Sequence, residues 1–257
     1  MKKIIAVIPA RMGSTRFPGK PIVDICGLTM IEHVWRRVRM CKKISEVYII
    51  TCDLEIKDAA EAFGAKVVMT SPKHSRCTDR AAEAAQKLVK SGKKFDILLN
   101  IQGDEPLLNP KTLDLLIRPF LEEKKIAAVN MIESLKGEAE ISSKNNVKTV
   151  FDQNNFALYF SRQPIPTGAV AEHYKQLGIY GLTRKAILQY AEMKETPLEI
   201  AESDDMLRFL ENGIPVKVVI SPYKTKGVDT PADCEDVCRL MVADAIFRKY
   251  GKIRSAR

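Results

Sequence analysis

The residues best suited to chemistry lie in one loop near the N-terminus, between Pro9 and Pro21. The loop offers three cations, two hydroxyls and two glycines: Arg11, Arg16 and Lys20, Ser14 and Thr15, Gly13 and Gly19. Glycine permits close backbone approach and positive φ, and consecutive amides in such a turn form an anion-binding concavity. Arginine side chains match phosphate oxygens two at a time. The loop therefore predicts a site for a triphosphate.

Two common phosphate-binding signatures do not describe this loop. A Walker A motif places Ser or Thr after its lysine, whereas Pro21 follows Lys20 and removes both a hydroxyl and an amide donor. The Gly-x-Gly-x-x-Gly pattern of a dinucleotide fold is also missing from the loop. Side chains must therefore supply much of the charge neutralisation. The alternative interpretation is a solvated basic loop.

Two aspartates follow predicted strands and form a second candidate group. Asp104 lies just past the apolar strand 97–102, and Asp229 directly precedes the last predicted helix. Ligands of open α/β sheets bind beyond the carboxyl ends of the strands, and Mg²⁺ prefers carboxylate and phosphate oxygens. The two aspartates therefore predict a Mg²⁺ site. The alternatives are a helix cap for Asp229 and a simple turn residue for Asp104.

The composition limits the protein classes to which the chain can belong. Its 257 residues fit one large domain, and we predict a single domain over residues 1–257. Hydrophobic residues make up 46% and charged residues 28%, as in globular proteins. No apolar run is long enough to span a membrane, and the apolar N-terminal run is too short for a signal peptide. We expect a cytoplasmic protein that binds no membrane.

Charge and cysteine usage exclude two further classes. The net charge is +9, but the chain has no basic stripe interleaved with aromatic residues, so we predict no nucleic-acid binding. The six cysteines form no Cys-x-x-Cys pair and the three histidines lie far apart, which excludes a clustered zinc site. We expect reduced thiols. Cys234 and Cys238 have the spacing of one helix face.

Short apolar strands alternate with amphipathic helices in the first half of the chain, which predicts a mostly parallel sheet covered on both faces. The second half is predicted to be mixed, with a hairpin around 152–155. Helices are predicted to resume at 202–211 and 231–248. The fold class is therefore α/β, with a mixed sheet covered by helices.

Five segments, in this order, are similar to motifs of the 3-deoxy-manno-octulosonate cytidylyltransferase family. They are residues 9–21, Asn100-Ile-Gln-Gly-Asp-Glu-Pro106, Phe156-Ala-Leu-Tyr-Phe-Ser-Arg162, Leu177-Gly-Ile-Tyr-Gly181 and Gly227-Val-Asp-Thr-Pro231. The resemblance spans residues 4 to about 241. Other sugar nucleotidyltransferases share the first and third segments in looser form, so the combination carries the specificity. Thr78, Asp79 and Arg80 also match the end of the family's cytosine-facing segment, with Cys77 in place of its glycine.

This resemblance implies a Rossmann-like nucleotide-diphospho-sugar transferase fold that dimerises through a small lobe, here residues 138–183. It implies transfer of CMP from CTP to the anomeric hydroxyl of a sugar acid, with release of pyrophosphate, for lipopolysaccharide or surface-glycan synthesis. Arg11, Arg16 and Lys20 would neutralise the triphosphate, and Asp104 and Asp229 would hold Mg²⁺. The nucleotide would contact the following residues: Ala10, Arg11, Gly13, Ser14, Lys20, Thr78, Arg80 and Asp104. No side chain is assigned as a general base.

The sugar-acid site departs most from the family pattern. Gln176 stands where the family usually has histidine, and Asp205 and Met206 replace a glutamate and a glutamine. The candidate acceptor contacts are Gln102, Gln176, Tyr180 and Asp205, although Tyr180 could equally be a core aromatic. A site built to hydrogen-bond a polyhydroxy acid discriminates strongly when its polar groups change. One alternative is therefore a cytidylyltransferase for another acid, such as an amino-ulosonate, another sialic-type acid or a phosphonate. A second is a non-catalytic nucleotide-binding regulator.

Overall fold

The first strand, β1 (Ile4–Pro9), is buried along its whole length, and the sheet extends from it on both sides. Ile4, Ala6 and Ile8 face one apolar cluster, whereas Ile5 and Val7 face another. A strand buried on both faces needs a layer of helices on each side. The computed structural model, which describes residues 2–13, 17–168 and 172–251, has these two layers.

The other strands vary in length, and two of them form a separate hairpin. In chain order they are β2 (Asp24–Ile25), β3 (Leu28–Thr29), β4 (Ile44–Thr51), β5 (Lys66–Met69), β6 (Ile97–Ile101), β7 (Ala128–Ser134), β8 (Lys148–Phe151), β9 (Ala157–Ser161), β10 (Tyr174–Thr183) and β11 (Val216–Ile220). The small hairpin pairs β2 with β3.

The helices connect these strands. In chain order they are α1 (Met30–Arg39), α2 (Leu54–Ala62), α3 (Cys77–Lys90), α4 (Pro110–Glu122), α5 (Glu138–Ser142), α6 (Arg184–Tyr190), α7 (Pro197–Glu202), α8 (Met206–Glu211) and α9 (Pro231–Ala243). Short 3-10 helices cover Lys20–Ile22 and Phe247–Lys249.

The strand order β11-β7-β10-β6-β1-β4-β5 places a topological switch point between β1 and β6. From β1 the chain proceeds outward to β4 and β5, and it then crosses to β6 on the other side of β1. The neighbouring strands β1 and β6 are parallel, so their carboxyl ends open at the same edge. A crevice for ligands is expected at this edge.

Two layers of helices pack on the sheet. Apolar residues of α1, α2 and α4 cover one face, and those of α3, α6 and α8 cover the other. A third, smaller cluster joins α9 to the β2–β3 hairpin through Ile25, Met30, Val228 and Val237. The predicted α/β class, with a mixed sheet covered by helices, is confirmed.

The predicted change of character in the second half is also confirmed. β10 runs antiparallel to both β6 and β7, and β8 and β9 form the predicted hairpin, which attaches to β10. These strands and α5 make up most of the predicted lobe at residues 138–183. Its role in dimerisation stays a prediction.

Two helix predictions were wrong at their boundaries. The predicted helix 202–211 is broken, because Ser203 adopts a left-handed conformation (φ 52°) between α7 and α8. The predicted helix 231–248 ends at Ala243, where Asp244 becomes extended. The sequence interpretation also missed α6. The break at Ser203 leaves Asp204 and Asp205 between two helices.

The six cysteines are all unpaired, as expected, and Cys234 and Cys238 both lie on α9. No helix in the described part of the chain has the length and apolar content needed to cross a bilayer.

Candidate active site

At the switch point, where a ligand crevice is expected, two chain segments approach each other very closely. Gly103 follows β6, and a Cβ atom at this position would stand 2.8 Å from the carbonyl oxygen of Pro9 at the end of β1. No larger residue fits there without a backbone shift. The two loops that the sequence singled out, after Pro9 and after Gly103, therefore begin side by side.

Lys20, Asp104 and Asp229 meet in this crevice, and we call them the Lys20 cluster. The Lys20 ammonium donates hydrogen bonds to Asp104 Oδ2 at 2.8 Å and Asp229 Oδ1 at 3.3 Å. It also donates to the carbonyl oxygen of Val228 at 2.9 Å. The lysine of the predicted triphosphate loop and the two aspartates of the predicted Mg²⁺ site are thus brought together.

The electrostatics of the cluster keep its lysine charged. Burial opposes protonation of Lys20, but Asp104 and Asp229 outweigh this effect and raise the pKa of the ammonium above its ordinary value. The aspartate side chains are 27% and 45% exposed, so both can be reached by a ligand.

The pair of carboxylates fits a divalent cation, because both already converge on one cationic group. No set of three or more His, Cys, Asp or Glu residues within the described ranges is arranged to hold a metal. Mg²⁺ commonly uses one or two carboxylates and completes its shell with phosphate oxygens and water. The two carboxylates could therefore hold a metal that shares its shell with a phosphate ligand, which stays a prediction. Asp229 does not cap α9, since the Thr230 side chain does so.

Glu105 fastens the two aspartate-bearing loops together and was not proposed from the sequence. Its Oε2 atom accepts a hydrogen bond from the Thr225 hydroxyl at 2.6 Å, and the Val228 amide donates to the Asp104 carbonyl oxygen at 2.9 Å. Burial, followed by the charge of Asp104, raises the pKa of Glu105 to about 7. Its position directly after Asp104 in the motif was the signal available in the sequence.

The start of the loop at residues 9–21, which we call the phosphate loop after its predicted ligand, is held by hydrogen bonds from its backbone amides. The Ala10 amide donates to the Ile50 carbonyl oxygen at 3.0 Å, and the Met12 amide donates to Asp53 Oδ2 at 2.8 Å. The Arg11 and Gly13 residues are exposed beside the crevice. Ser14 and Arg16, which were also predicted to bind the nucleotide, lie outside the described residues. Asp53 was missed, although it lies only two residues after the end of β4.

The first turn of α3 carries two further predicted nucleotide contacts, Thr78 and Arg80. The Thr78 and Tyr180 hydroxyls hydrogen-bond each other, which connects α3 to β10. Arg80 is buried, and its guanidinium donates to Thr70 Oγ1 at 2.7 Å and to the carbonyl oxygens of Ser71 and His74. Arg80 thus holds the loop that precedes α3, and its contact with a nucleotide stays a prediction.

Of the predicted acceptor contacts, Gln102 packs against β10 and Gln176 lies on it. The Gln102 side chain lies across Gly178, where a Cβ atom would come within 2.2 Å of its Cδ. Gln176 donates to Asn130 Oδ1 at 2.7 Å and to Asp204 Oδ1 at 3.4 Å. Burial, followed by the charge of Asp205, raises the pKa of Asp204 to about 7. Contact with an acceptor stays a prediction for both glutamines.

The remaining predicted acceptor contacts, Tyr180 and Asp205, both bind to α3. Asp205 Oδ2 accepts from the Thr78 amide at 3.0 Å, and Asp205 Oδ1 accepts from Arg76 at 3.4 Å. Burial raises the pKa of Tyr180 well above its ordinary value, so its hydroxyl is neutral. Both side chains are thus placed to position α3.

A buried ion pair supports this part of the site. Arg208 binds Glu199 through two hydrogen bonds of 2.6 Å, and it also reaches Asp79 at 3.1 Å. Arg208 and Glu199 are 3% and 0% exposed in their side chains. The sequence interpretation did not identify this pair, whose glutamate lies on α7 and whose arginine lies on α8.

Comparisons with known proteins agree with this geometry. The cytidylyltransferase family model matches residues 5–219. A 3-deoxy-manno-octulosonate cytidylyltransferase from Geotalea uraniireducens is 42% identical, over 91% of this chain and 97% of the relative. An 8-amino-3,8-dideoxy-manno-octulosonate cytidylyltransferase from Shewanella baltica is 41% identical, over 90% and 95%.

A solved structure of CMP:2-keto-3-deoxy-manno-octonic acid synthetase complexed with CTP also has the same fold. Its TM-score is 0.86 with 36% identity, and the match covers 94% of this chain and 99% of that one.

Proposed function

The chain belongs to the cytidylyltransferase family, and we propose that it transfers CMP from CTP to the anomeric hydroxyl of 3-deoxy-manno-octulosonate (Kdo), releasing pyrophosphate. The observation that carries this proposal is the convergence of Lys20, Asp104 and Asp229 at the β1–β6 crevice. The identity of 42% to a Kdo cytidylyltransferase over nearly its whole length supports the choice of acceptor.

The proposed reaction is an in-line displacement at phosphorus. The anomeric hydroxyl oxygen bonds to the α-phosphorus of CTP, and the bond from that phosphorus to the bridging oxygen of the β-phosphate breaks. Pyrophosphate leaves with the bridging oxygen, and the hydroxyl proton passes to solvent. Each of the three histidines is hydrogen-bonded to a group outside the Lys20 cluster: His33 to Tyr250, His74 to Glu83 and His173 to the Ile165 carbonyl oxygen. No histidine is therefore assigned as a base.

Positioning and charge neutralisation dominate such transfers. The Lys20 ammonium stays protonated because its pKa is raised, and it can offset charge that builds on the departing pyrophosphate. Arg11, exposed at the same crevice, can add a second cation. The close approach of Gly103 to Pro9 brings the starts of the two loops that carry Arg11 and Asp104 together at the sheet edge.

We propose Mg²⁺ as the cofactor, held by Asp104 and Asp229. When bound, the ion supplies charge neutralisation at the α-phosphate and lowers the pKa of the attacking hydroxyl. The carboxylate geometry described above supports this assignment.

Three wider features belong to the same proposal. The product would serve lipopolysaccharide or surface-glycan synthesis, and the six unpaired cysteines agree with a reducing, cytoplasmic setting. A homodimer stays a prediction. In its favour, the apolar side chain of Leu158 is 63% exposed on β9, within the predicted lobe.

The test is pyrophosphate release with CTP and Mg²⁺ against a panel containing Kdo, 8-amino-3,8-dideoxy-manno-octulosonate and a sialic acid. UTP serves as the nucleotide control. We expect turnover with Kdo. Turnover with 8-amino-3,8-dideoxy-manno-octulosonate alone would assign to this chain the activity named for the Shewanella relative, and not transfer to Kdo. Binding of CTP without turnover of any acid would contradict the proposed acceptor class and favour a regulator.

A further inference from the structure

Three of the six cysteines lie together where the β2–β3 hairpin packs on α9. Cys234 is buried in the apolar cluster that joins these elements, and Cys26 and Cys238 pack against that cluster. Cys234 and Cys238 are one turn apart on α9 and share one of its faces. The Cys26 thiol donates to the carbonyl oxygen of Cys238, with Sγ and O 3.7 Å apart. Cys26 and Cys238 are therefore neighbours in the fold, although 212 residues separate them in sequence.

Cys26 occupies a backbone position that does not favour cysteine. With Gly27 it forms the two-residue turn of the β2–β3 hairpin, and the φ angles of the two residues are 53° and 88°. Positive φ at both positions is typical of a type I′ turn, which prefers asparagine followed by glycine. The Asp24 side chain accepts the Gly27 amide at 3.0 Å, so the turn is held without the Cys26 side chain. The turn itself gives no reason for a cysteine here, whereas the contact with Cys238 does.

The three thiols differ in their access to solvent. Cys26 and Cys238 are partly exposed, whereas Cys234 is 8% exposed. A dissolved oxidant can therefore reach the first two more easily than the third. Burial, followed by the neighbouring Cys238 thiol, raises the pKa of Cys26, and the same two causes raise the pKa of Cys234 to about 11. Because the thiolate is the reactive form, the Cys26 thiol stays reduced unless an oxidant is supplied.

The cysteines lie on the two chain segments that lead away from the Lys20 cluster. The hairpin follows the first 3-10 helix, which begins at Lys20, and α9 begins two residues after Asp229. Val228, whose carbonyl oxygen accepts a hydrogen bond from Lys20, is buried in the same apolar cluster as Cys234. A covalent bond between the hairpin and α9 would therefore join the segments that bring Lys20 and Asp229 together.

We propose that Cys26 and Cys238 form a redox-sensitive pair, which hydrogen peroxide converts into an intramolecular disulfide. One thiolate attacks a peroxide oxygen, the O–O bond breaks, and proton uptake leaves a sulfenic acid and water. The second sulfur then attacks the sulfenic sulfur and loses its proton, so that the S–S bond forms, the S–O bond breaks and a second water leaves. Together the two thiols lose two electrons and two protons, and the peroxide is reduced to two waters. Disulfides of cytoplasmic proteins are usually transient and redox-sensing, so a thiol reductant should reverse this one.

The first test maps the peptides of the wild-type chain after treatment with hydrogen peroxide at mildly alkaline pH, where more thiolate is present. Free thiols are alkylated, the chain is digested with trypsin without a reductant, and the peptide masses are measured. We expect peptide 17–36, which contains Cys26, to be joined to peptide 227–239, which contains Cys234 and Cys238. A reductant should separate them. A chain without this link, a link between two chains, or sulfenic and sulfinic acids on single cysteines would overturn the proposal.

Serine variants identify the partner of Cys26. Cys234→Ser is the matched control, since it removes a thiol from the same face of α9, and it should form the link as the wild type does. Cys238→Ser should not form it. A link that persists in Cys238→Ser and is lost in Cys234→Ser would overturn the assignment.

The melting temperature gives a second readout that needs no peptide map. A link across 212 residues restricts the unfolded chain, so the oxidised wild type should melt about 5–10 °C above the reduced wild type. Cys26→Ser should melt at the same temperature with and without peroxide. An equal rise in Cys26→Ser, or no rise in the wild type, would contradict a disulfide between the hairpin and α9. Neither readout depends on the identity of the substrates, so the proposal stands or falls apart from the proposed function.

Discussion

The Lys20 cluster and the ion pair between Arg208 and Glu199 differ in how far their charged side chains are exposed to solvent. In the Lys20 cluster one ammonium serves two carboxylates, of which Asp229 is 45% exposed. In the second group Glu199 is fully buried and receives two hydrogen bonds from Arg208 and an ion pair from Arg76.

This difference distinguishes a group that can bind a ligand from a buried ion pair that holds helices in place. Exposed carboxylates can exchange a protein cation for a metal or accept one beside it. Buried and fully hydrogen-bonded charges cannot exchange partners without a large desolvation cost. Substitutions in the two regions should therefore have different effects, on rate in the first and on stability in the second.

The largest effect is expected from Arg208→Met, which leaves Glu199 buried without its main partner. Removal of one member of a buried ion pair typically costs about 3–5 kcal/mol of unfolding free energy. Urea denaturation followed by circular dichroism measures this loss. Arg118→Met is the control, because Arg118 pairs with Glu122 on the surface of α4 with 67% exposure. Equal losses in the two variants would contradict the comparison.

Asp104→Ala should act on rate instead. We expect kcat for pyrophosphate release to fall by roughly 10²–10³, the range found when one preorganised electrostatic contact is removed. The melting temperature should change little, because Asp104 is partly exposed. Asp114→Ala removes a carboxylate of 46% exposure that pairs with Lys43, and it serves as the control. Unchanged pyrophosphate release in Asp104→Ala would exclude Asp104 from the mechanism.

Asp204→Asn tests whether the pKa of the buried Asp204 carboxyl is raised in the folded chain. The pKa of Asp204 is about 7 in the folded chain and is raised from an ordinary 3.8, so the folded state holds its proton over a wider range. Folding stability is therefore lost as pH rises from about 4 to 7. The asparagine variant should be more stable by on the order of 2 kcal/mol at pH 8 and no more stable at pH 4. Urea denaturation of both chains at pH 4 and pH 8 measures this difference in unfolding free energy. A gain in stability that does not depend on pH would contradict the raised pKa of Asp204.

The smallest effect is expected from Gly178→Ala on β10. The new methyl group would displace the Gln102 side chain, which can move because it is flexible. If Gln102 contacts the acceptor, the KM for Kdo should rise about tenfold while the Kd for CTP stays constant. Gly168→Ala is the control, since no described atom lies within 4 Å of its added Cβ. A change in CTP affinity alone would remove Gln102 from the acceptor side.

The family resemblance and the predicted fold class are both confirmed. Both depend on signals that are local in the sequence. The phosphate loop and Asp104 each follow a buried strand, so local patterns located them. Parallel neighbouring strands bring such loops to one edge without further information. The failed helix prediction at 202–211 had the opposite origin. A left-handed Ser203 is not signalled by its residue type, and tertiary contacts on Asp204 and Asp205 stabilise the break.

By itself the sequence determined the chemistry of the site: which cations, which carboxylates and which loops carry them. Only the tertiary structure decided the partners. Lys20 meets Asp104 and Asp229 across 84 and 209 residues, and Asp205 caps a helix 127 residues away. Residue type and spacing encode local conformation and charge, but a hydrogen bond between distant segments depends on how the whole sheet and its helices pack. Asp205 was predicted from its motif as an acceptor contact, which stays a prediction, and the structure adds its bonds to Arg76 and to the Thr78 amide at the start of α3.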